Sequence, residues 1–156
     1  MQLNTLFKAN VALKLLGFFK IPVIWFVNPK VIRLDEEKCI LRINLKHRTK
    51  NHLNSMYLGV LSVGADLACG ILGMYHIQES KKKISLVFKD LKADFLKRPL
   101  GNVNFICSQG EEVKQIVQKT IETGERQNFP CKIDAMCEGE KVCEFVLTLS
   151  LKYRPK

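Results

Sequence analysis

One uninterrupted apolar segment, residues 58–74, constrains the fold of this 156-residue chain more than any other feature. It contains no proline, many small residues and a single charged side chain, Asp66. A helix that is apolar on nearly all sides has to be buried on nearly all sides. We therefore predict a central helix at this segment, enclosed by the rest of the chain.

Alternating apolar and polar residues, the period of half-buried strands, flank this helix on both sides. The pattern predicts six strands, at residues 31–34, 39–46, 84–89 with a continuation through 95, 103–107, 129–137 and 142–153. A capping-box pattern at 108–111 and a stop at Gly124 predict an amphipathic helix between the fourth and fifth strands. Strands that follow one another on tight turns are expected to pair antiparallel.

These elements make the predicted fold class α+β, with a curled antiparallel sheet of about six strands wrapped around a central helix. Without an internal repeat or linker, residues 1–156 are expected to form a single domain. An extra helical segment at residues 1–27 is expected to pack on that domain. The chain is long enough to bury one substantial core.

The N-terminal segment raises the question of a membrane. Residues 6–27 are strongly apolar, but three lysines interrupt them and a proline breaks them. A charge at the centre of a spanning helix costs about 2.5–3.5 kcal/mol on insertion scales, so we expect no membrane span. Val11, Leu15 and Phe18 fall on one helical face, which suits either packing on the domain or weak contact with a membrane surface. We favour packing on the domain.

The net charge of +10 comes from 25 basic and 15 acidic residues, and it is unevenly distributed. Residues 1–100 carry the whole excess, whereas residues 101–156 are balanced. Such a surface attracts phosphates, an anionic membrane or a phosphorylated ligand, although it can also be simply solvated. We expect no nucleic-acid partner, because no aromatic stacking platform or recognition-helix pattern accompanies the basic residues.

Six cysteines are interpreted as reduced thiols: Cys39, Cys69, Cys107, Cys131, Cys137 and Cys143. Most lie in apolar runs, where cysteine behaves as a small hydrophobe. Their spacing lacks the short C-x2–4-C pair of a zinc site, and His47 and His76 have no metal-ligand spacing to them. We therefore expect no metal site. With no signal-peptide pattern and no glycosylation acceptor, we expect a cytoplasmic protein.

Asp66 is the candidate functional residue of the central helix. A stripe of small residues surrounds it at helical spacing: Gly59, Ser62, Gly70 and Gly73. Glycines inside a helix are costly, so several of them indicate that a partner backbone or a ligand approaches closely. Burying a lone carboxylate is also costly unless it is paired or used. Asp66 is therefore either bonded to the basic link at residues 47–50, or a general base or nucleophile whose pKa burial raises.

The start of the helix adds a second element. The backbone N–H groups of Leu58 and Gly59 would be unpaired donors at a helix N-terminus, where the dipole favours negative charge. Such a pair can hold a carbonyl oxygen as it becomes an oxyanion. Asn51 and Asn54, just upstream, add neutral hydrogen-bonding groups, and His52 is more simply explained as a polar loop residue.

The combination of a helix in a curled sheet with Asn51, Gly59 and Asp66 resembles the hotdog fold of acyl-CoA thioesterases. The phenylacetyl-CoA-type branch has the pattern Asn-x-x-Gly-x-x-His-Gly-Gly, with an acidic residue seven positions after the last glycine. The segment Asp94-Phe-Leu-Lys-Arg-Pro99 is similar to the Asn-Phe-Leu-Arg-Pro strand motif of those enzymes. Residues 51–60 and 64–68 are more similar still to a bacterial hotdog family of unknown function.

Three positions depart from the thioesterase pattern. Asn54 stands at the first glycine, Tyr57 at the histidine and Leu58 at the glycine that follows it. These departures leave open a non-catalytic protein that binds acyl-CoA or lipid.

The resemblance implies a homodimer, or a tetramer of two dimers, with sites at the subunit interface. It implies hydrolysis of acyl-CoA or acyl-carrier thioesters, with no cofactor other than the coenzyme A of the substrate. Asp66 would activate water or attack the carbonyl, Gly59 would hold the oxyanion and Asn51 would position the thioester or the water. The residues expected to bind substrate are Tyr57, Leu58, Asn54, Ser62, Lys97 and Arg98.

Overall fold

The computed structural model describes residues 2–155, and it describes side chains from residue 4 onward. Four helices occupy Gln2–Phe19 (α1), Pro22–Val27 (α2), Leu58–Ser80 (α3) and Gly110–Thr123 (α4). Six strands occupy Lys30–Leu34 (β1), Cys39–Ile43 (β2), Ile84–Phe95 (β3), Val103–Cys107 (β4), Gln127–Cys137 (β5) and Glu140–Tyr153 (β6). The predicted α+β architecture with a six-stranded sheet, a central helix and an N-terminal helix is confirmed.

All six strands form one antiparallel sheet in the order β1-β2-β4-β5-β6-β3. The expected pairing of chain neighbours holds for β1 with β2 and for β5 with β6, but it is wrong for β3 and β4. After β3, the backbone N–H groups of Leu96 and Lys97 both bond to the carbonyl oxygen of Val142 in β6. The segment after β3 therefore continues along β6 and does not turn back to pair β3 with β4. Strand β3 is thus one edge of the sheet, and β1 is the other edge.

The central helix α3 packs against β2, β3, β4, β5 and β6. Its contact with β4 is so close that a Cβ atom at Gly64 would overlap the ring of Phe105. Of the described helices, α3 alone is long and apolar enough to cross a membrane by length and composition. Half of that apolar stretch is buried inside the protein. The sheet around α3 thus accounts for the hydrophobicity of the segment.

Helix α4 packs on α3, β5 and β6, and it ends as predicted at Gly124, which has a φ of 66°. The capping box predicted at residues 108–111 is wrong. The helix begins at Gly110 after Gln109, and no side chain caps it. The side-chain carbonyl of Gln109 instead accepts a hydrogen bond from the backbone N–H of Lys132 in β5, at 2.6 Å. The first N–H of the helix, at Gly110, bonds to the carbonyl oxygen of Glu37 at 2.9 Å, so a tertiary contact satisfies a donor at the helix start.

Helix α1 lies on β1 and α2, and it is buried along a stripe that includes Leu13 and Gly17. The side-chain amide of Asn10 on this stripe both donates to and accepts from the backbone of Val31, each at 2.9 Å. The face of Val11, Leu15 and Phe18, which we expected to pack on the domain, is exposed instead. Because α1 is apolar on nearly all sides, its hydrophobic pattern could not indicate which face is buried.

Candidate functional site

Asp66 lies near the middle of α3, with its side chain half-buried. Within residues 2–155, no hydrogen bond or ion pair reaches its carboxylate, and the predicted alternative of a bond to the link at 47–50 is not found. Burial raises the pKa of Asp66. A half-buried carboxylate without a partner costs folding free energy, which is the pattern expected of a group kept for chemistry or binding.

The stripe of small residues around Asp66 has two different parts. At Gly73, a Cβ atom would lie 2.6 Å from Cδ1 of Leu86 in β3, so the close approach there comes from the protein's own sheet. At Gly70, one turn after Asp66, the nearest atoms belong to the ring of Phe88 at an ordinary 3.7 Å. The surface beside Asp66 therefore remains open, whereas the end of the stripe is closed by internal packing.

The N-terminus of α3 presents unpaired backbone donors. Tyr57 is the N-cap residue and no side chain caps the helix, so the first intrahelical bond runs from Leu61 N–H to the Tyr57 carbonyl at 3.0 Å. The N–H groups of Leu58 and Gly59 have no partner in the described part of the chain. The side chains of Tyr57 and Leu58 are both about half exposed, at 54% and 53%. This helix start can hold an anion or a developing oxyanion.

Asn51 is occupied by the loop that leads into α3. Its side-chain oxygen accepts hydrogen bonds from the backbone N–H groups of Leu53, at 2.9 Å, and Ser55, at 3.2 Å. Its Nδ2 lies 3.0 Å from Oγ of Ser55. The structure therefore places Asn51 as the residue that shapes this loop, with most of its polar capacity already used.

Asn54 explains one departure from the thioesterase pattern. Its backbone has a φ of 60°, in the left-handed region that glycine adopts freely and asparagine tolerates better than most residues. Asparagine can therefore stand where that pattern has glycine. The side-chain oxygen of Asn54 accepts a hydrogen bond from Nζ of Lys50 at 3.0 Å.

The strand motif at residues 94–99 reaches the same region. The carbonyl oxygen of Pro99 accepts a hydrogen bond from the backbone N–H of Met56 at 3.0 Å, so the end of the motif lies beside the start of α3. Lys97 forms an exposed ion pair with Glu140 at 3.0 Å. The guanidinium of Arg98 is exposed and has no ion-pair partner among the described side chains. The motif thus supplies one free positive charge near the helix start.

Asp66 and Gly59 lie on the same helix, seven residues apart. A rise of 1.5 Å per residue separates them by about 10 Å along the helix axis. A carbonyl that is attacked from 3–3.5 Å and held by a donor about 3 Å away spans only about 7 Å in total. The two groups of one α3 therefore do not meet on a single carbonyl by direct contact.

A cluster of three thiols, which sequence reasoning missed, lies in the core. The Sγ atoms of Cys69, Cys107 and Cys131 are all within 4.8 Å of one another, and those of Cys107 and Cys131 are 3.2 Å apart. Hydrogen bonds from Cys131 and Cys69 lower the pKa of the Cys107 thiol below its ordinary value. The three residues come from α3, β4 and β5, so no short spacing in the sequence signals them. Their donor atoms suit a soft metal ion, which would have to enter before the core closes.

A surface pocket of about 70 Å³ lies on another part of the chain, between α2 and the basic link. Phe26, Asn44 and Arg48 are among its lining residues. Small-molecule sites usually measure about 300–1,000 Å³, so this pocket is too small for an acyl-CoA.

Comparison with known families places this geometry in context. Residues 9–151 match the model of a family described as a domain of unknown function (DUF4442). The chain belongs to this family. No protein of curated function matches it in sequence.

Solved structures share the fold at low sequence identity. A protein of unknown function from Chlorobaculum tepidum TLS is 16% identical, with a TM-score of 0.82 over 96% of this chain and 97% of that one. A Pseudomonas aeruginosa protein described as a probable thioesterase is 22% identical, with a TM-score of 0.77 over 92% and 95%. A Haemophilus influenzae thioesterase is 18% identical, with a TM-score of 0.63 over 89% and 88%. The predicted hotdog fold and the predicted likeness to a hotdog family of unknown function are both confirmed.

Proposed function

We propose that this protein is a thioesterase-like hydrolase that cleaves acyl-CoA or acyl-carrier thioesters. The observation that carries the proposal is the Asp66 carboxylate, which is half-buried on the central helix of a hotdog domain and has no partner in the described chain. Thioesterases among the solved structures with this fold support the same reaction class. We place the reaction in the cytoplasm.

The site requires two copies of the chain in this proposal. Because Asp66 and Gly59 are about 10 Å apart on one helix, they act on the same carbonyl when Asp66 of one subunit faces Gly59 of the other. A two-fold axis that pairs the two α3 helices antiparallel creates two such sites at once. A water molecule between the Asp66 carboxylate and the thioester carbonyl would let Asp66 and Gly59 of a single helix act together only if all the atoms lay nearly in line.

The edge strand β3 supports this dimer. It pairs with β6 on one side only, and its side chains Val87, Leu91 and Phe95 are each about half exposed. An unpaired edge strand of twelve residues offers free backbone N–H and C=O groups for pairing with a second chain. Pairing β3 with its symmetry copy would also bring the two α3 helices together. A tetramer would need a further interface on the outer face of the joined sheets.

The proposed reaction uses groups at the two ends of this arrangement. Asp66 takes a proton from water as the water oxygen bonds to the thioester carbonyl carbon. The resulting oxyanion is held by the backbone N–H of Gly59, with that of Leu58 beside it. Collapse of the intermediate breaks the C–S bond, and the thiolate leaves with the proton from Asp66. The products are a carboxylic acid and a free thiol.

A nucleophilic route uses the same residue differently. Asp66 attacks the carbonyl, expels the thiolate and forms a mixed anhydride, which water then hydrolyses. Single turnover in ¹⁸O-labelled water separates the two routes. Label that appears in the Asp66 side chain, or capture of an acylated Asp66 by hydroxylamine, marks the anhydride, whereas label in the product acid with neither of these indicates that Asp66 acts as a base.

The remaining predicted residues are assigned to substrate binding. Arg98 has a free guanidinium near the helix start, which suits a phosphate of coenzyme A. Lys97 would add a second positive charge once its ion pair with Glu140 opens. Tyr57 and Leu58 would border the entrance, and Ser62 the acyl path next to Asp66. We limit Asn51 and Asn54 to shaping the loop that positions Tyr57.

A binding protein without catalysis is the second candidate. The engaged side chain of Asn51 favours it, because an amide that holds its own loop has little capacity left to orient a water or a thioester. This candidate predicts that acyl-CoA binds without turnover, and that Asp66→Asn leaves binding unchanged.

The test is a thiol-release assay with short, long and aromatic acyl-CoAs. We compare wild type with Asp66→Asn, which keeps the side-chain shape but removes the base, and expect turnover to fall at least 100-fold. Glu125→Gln is the matched control, because it removes a carboxylate from an exposed turn far along the chain. Equal activity of wild type and Asp66→Asn would refute the assignment of Asp66.

The dimer is tested separately by analytical ultracentrifugation. A charge placed on the β3 edge by Leu91→Lys should yield monomers and abolish turnover. A wild-type protein that is monomeric and still active would overturn the two-subunit site while leaving the hydrolase assignment standing.

A further inference from the structure

The two N-terminal helices present an apolar surface that the fold does not cover. Six side chains, which we call the N-terminal apolar surface, are at least half exposed: Phe7, Leu15, Phe18, Phe19, Trp25 and Phe26. Phe7 and Phe19 are each 70% exposed. Large aromatic side chains bury about 150–250 Å² each when they are enclosed, so this surface leaves on the order of 500 Å² of apolar area in water. A patch of that size marks an interaction site.

The surface is held in a defined orientation. On the opposite side of the helix pair, Leu13, Ile24 and Val27 are buried against the domain. A Cβ atom at Gly17 would lie 2.7 Å from the backbone nitrogen of Trp25, so α1 and α2 are in close contact. Phe18 and Trp25 contact each other edge to face, with ring centroids 5.3 Å apart. The exposed aromatic residues therefore form a platform attached to the domain.

The charged residues of the N-terminal segment are of one sign. Residues 1–34 contain four lysines, one arginine and no acidic residue. Lys8, Lys14 and Lys20 are all exposed on or beside α1. Long lysine side chains can keep their ammonium groups in water while the stem follows an apolar surface. Aromatic residues combined with lysines are the composition of helices that lie in the interface of an anionic bilayer.

A second copy of this chain fits the same surface poorly. A two-fold contact would place the three lysines of one copy against those of the other, and residues 1–34 supply no carboxylate to neutralise them. The helix pair packs on β1, at the opposite edge of the sheet from β3. An assembly through β3 would therefore leave this surface exposed.

We propose that the N-terminal apolar surface docks on an anionic phospholipid bilayer, with α1 and α2 lying in the plane of the interface. The aromatic side chains enter the boundary between headgroups and acyl chains, and Lys8, Lys14 and Lys20 contact lipid phosphates. The inference does not depend on the proposed hydrolase activity, because it uses no residue of that site.

Trp25 is the only tryptophan of the chain, so its fluorescence reports directly on this surface. The full-length protein is mixed with vesicles of phosphatidylcholine and phosphatidylglycerol at 3:1, and with pure phosphatidylcholine vesicles. We expect flotation with the anionic vesicles, a blue shift of Trp25 emission and quenching by brominated acyl chains. Raising the salt to 0.5 M should weaken binding. Failure to float at low salt, or flotation without a change in Trp25 emission, would overturn the proposal.

Two variants test the parts of the surface. Phe18→Ser with Phe19→Ser should abolish flotation without affecting folding, because both side chains are largely in solvent. Neutralising Lys8, Lys14 and Lys20 to Gln should weaken partitioning on the order of 100-fold, since each lysine near an anionic surface contributes about five-fold.

The matched control neutralises Lys82, Lys83 and Lys119 to Gln, which removes the same charge from exposed sites elsewhere in the domain. Binding that falls equally in the control would indicate a general charge effect and refute the docking surface. Self-association that Phe18→Ser with Phe19→Ser abolishes, and that vesicles do not compete with, would assign the surface to a second copy and also refute the proposal.

Discussion

Replacing Gly64 by alanine tests the most specific packing contact of the fold. A Cβ atom at Gly64 overlaps three ring atoms of Phe105, whose side chain is 0% exposed and cannot move aside into solvent. Overpacking a core costs about 1–3 kcal/mol, whereas alanine gains about 0.5–1 kcal/mol over glycine inside a helix. We therefore expect Gly64→Ala to lower the free energy of unfolding by about 1–2 kcal/mol.

Gly70→Ala is the matched control, because it makes the same change on the same helix. Its new methyl group would meet the ring of Phe88 at an ordinary 3.7 Å, so only the helix propensity changes. We expect a gain of about 0.5–1 kcal/mol. In a chain of this length, 1 kcal/mol shifts the melting temperature by roughly 2–4 °C. Gly64→Ala should melt below wild type and Gly70→Ala above it.

Urea unfolding followed by circular dichroism measures both differences, and a double variant checks the cause. Adding Phe105→Leu to Gly64→Ala should cost less than the sum of the two single changes, because the smaller side chain no longer overlaps the methyl group. The reasoning fails if Gly64→Ala is as stable as Gly70→Ala, or if the two changes simply add.

Three further predictions concern single features of the site and core. Burial raises the pKa of Asp66, so the folded protein favours the protonated carboxyl. The stability that this preference contributes is complete below the ordinary pKa of 3.8 and is lost as the pH rises through the pKa of the folded state. Asp66→Asn should therefore unfold at a higher urea concentration than wild type at pH 7 but not at pH 3.5. Asn54→Ala should lower the free energy of unfolding by about 1 kcal/mol because φ is 60° at this position, and Asn54→Gly should lower it less. Thermal melts measure both, and a glycine variant less stable than the alanine variant would contradict the prediction. All six thiols are buried, so a thiol reagent should label them slowly in the native protein and fully in denaturant; rapid native labelling would contradict their burial.

Much of the fold could be predicted because its elements have clear periods. The segment at 58–74 is apolar on nearly all sides, and the structure encloses it as α3, extended to Ser80. In β6, the alternation that ends at Leu151 marks the buried face correctly. Asp66 could be singled out for the same reason, since a lone charge in such a helix has few structural uses.

The failures share one physical origin. At residues 108–111 a local cap was predicted, but the helix start is held instead by a tertiary bond from the Gly110 N–H to the Glu37 carbonyl. In α1, apolar residues surround the helix, so only contact with β1 decides that Leu13 is buried and Leu15 is exposed. In each case a contact with a distant part of the chain decides the outcome.

The amino-acid sequence by itself determined the periods of helix and strand, the position of the one carboxylate in residues 58–74 and the charge of each region. These properties depend on residues within a few positions of one another, where spacing along the chain fixes spacing in the element. The tertiary structure alone decided that β3 pairs with β6, that three cysteines from α3, β4 and β5 meet, and that the Asp66 carboxylate has no partner among residues 2–155. Those outcomes depend on contacts between residues far apart in the chain, whose distances no local pattern encodes.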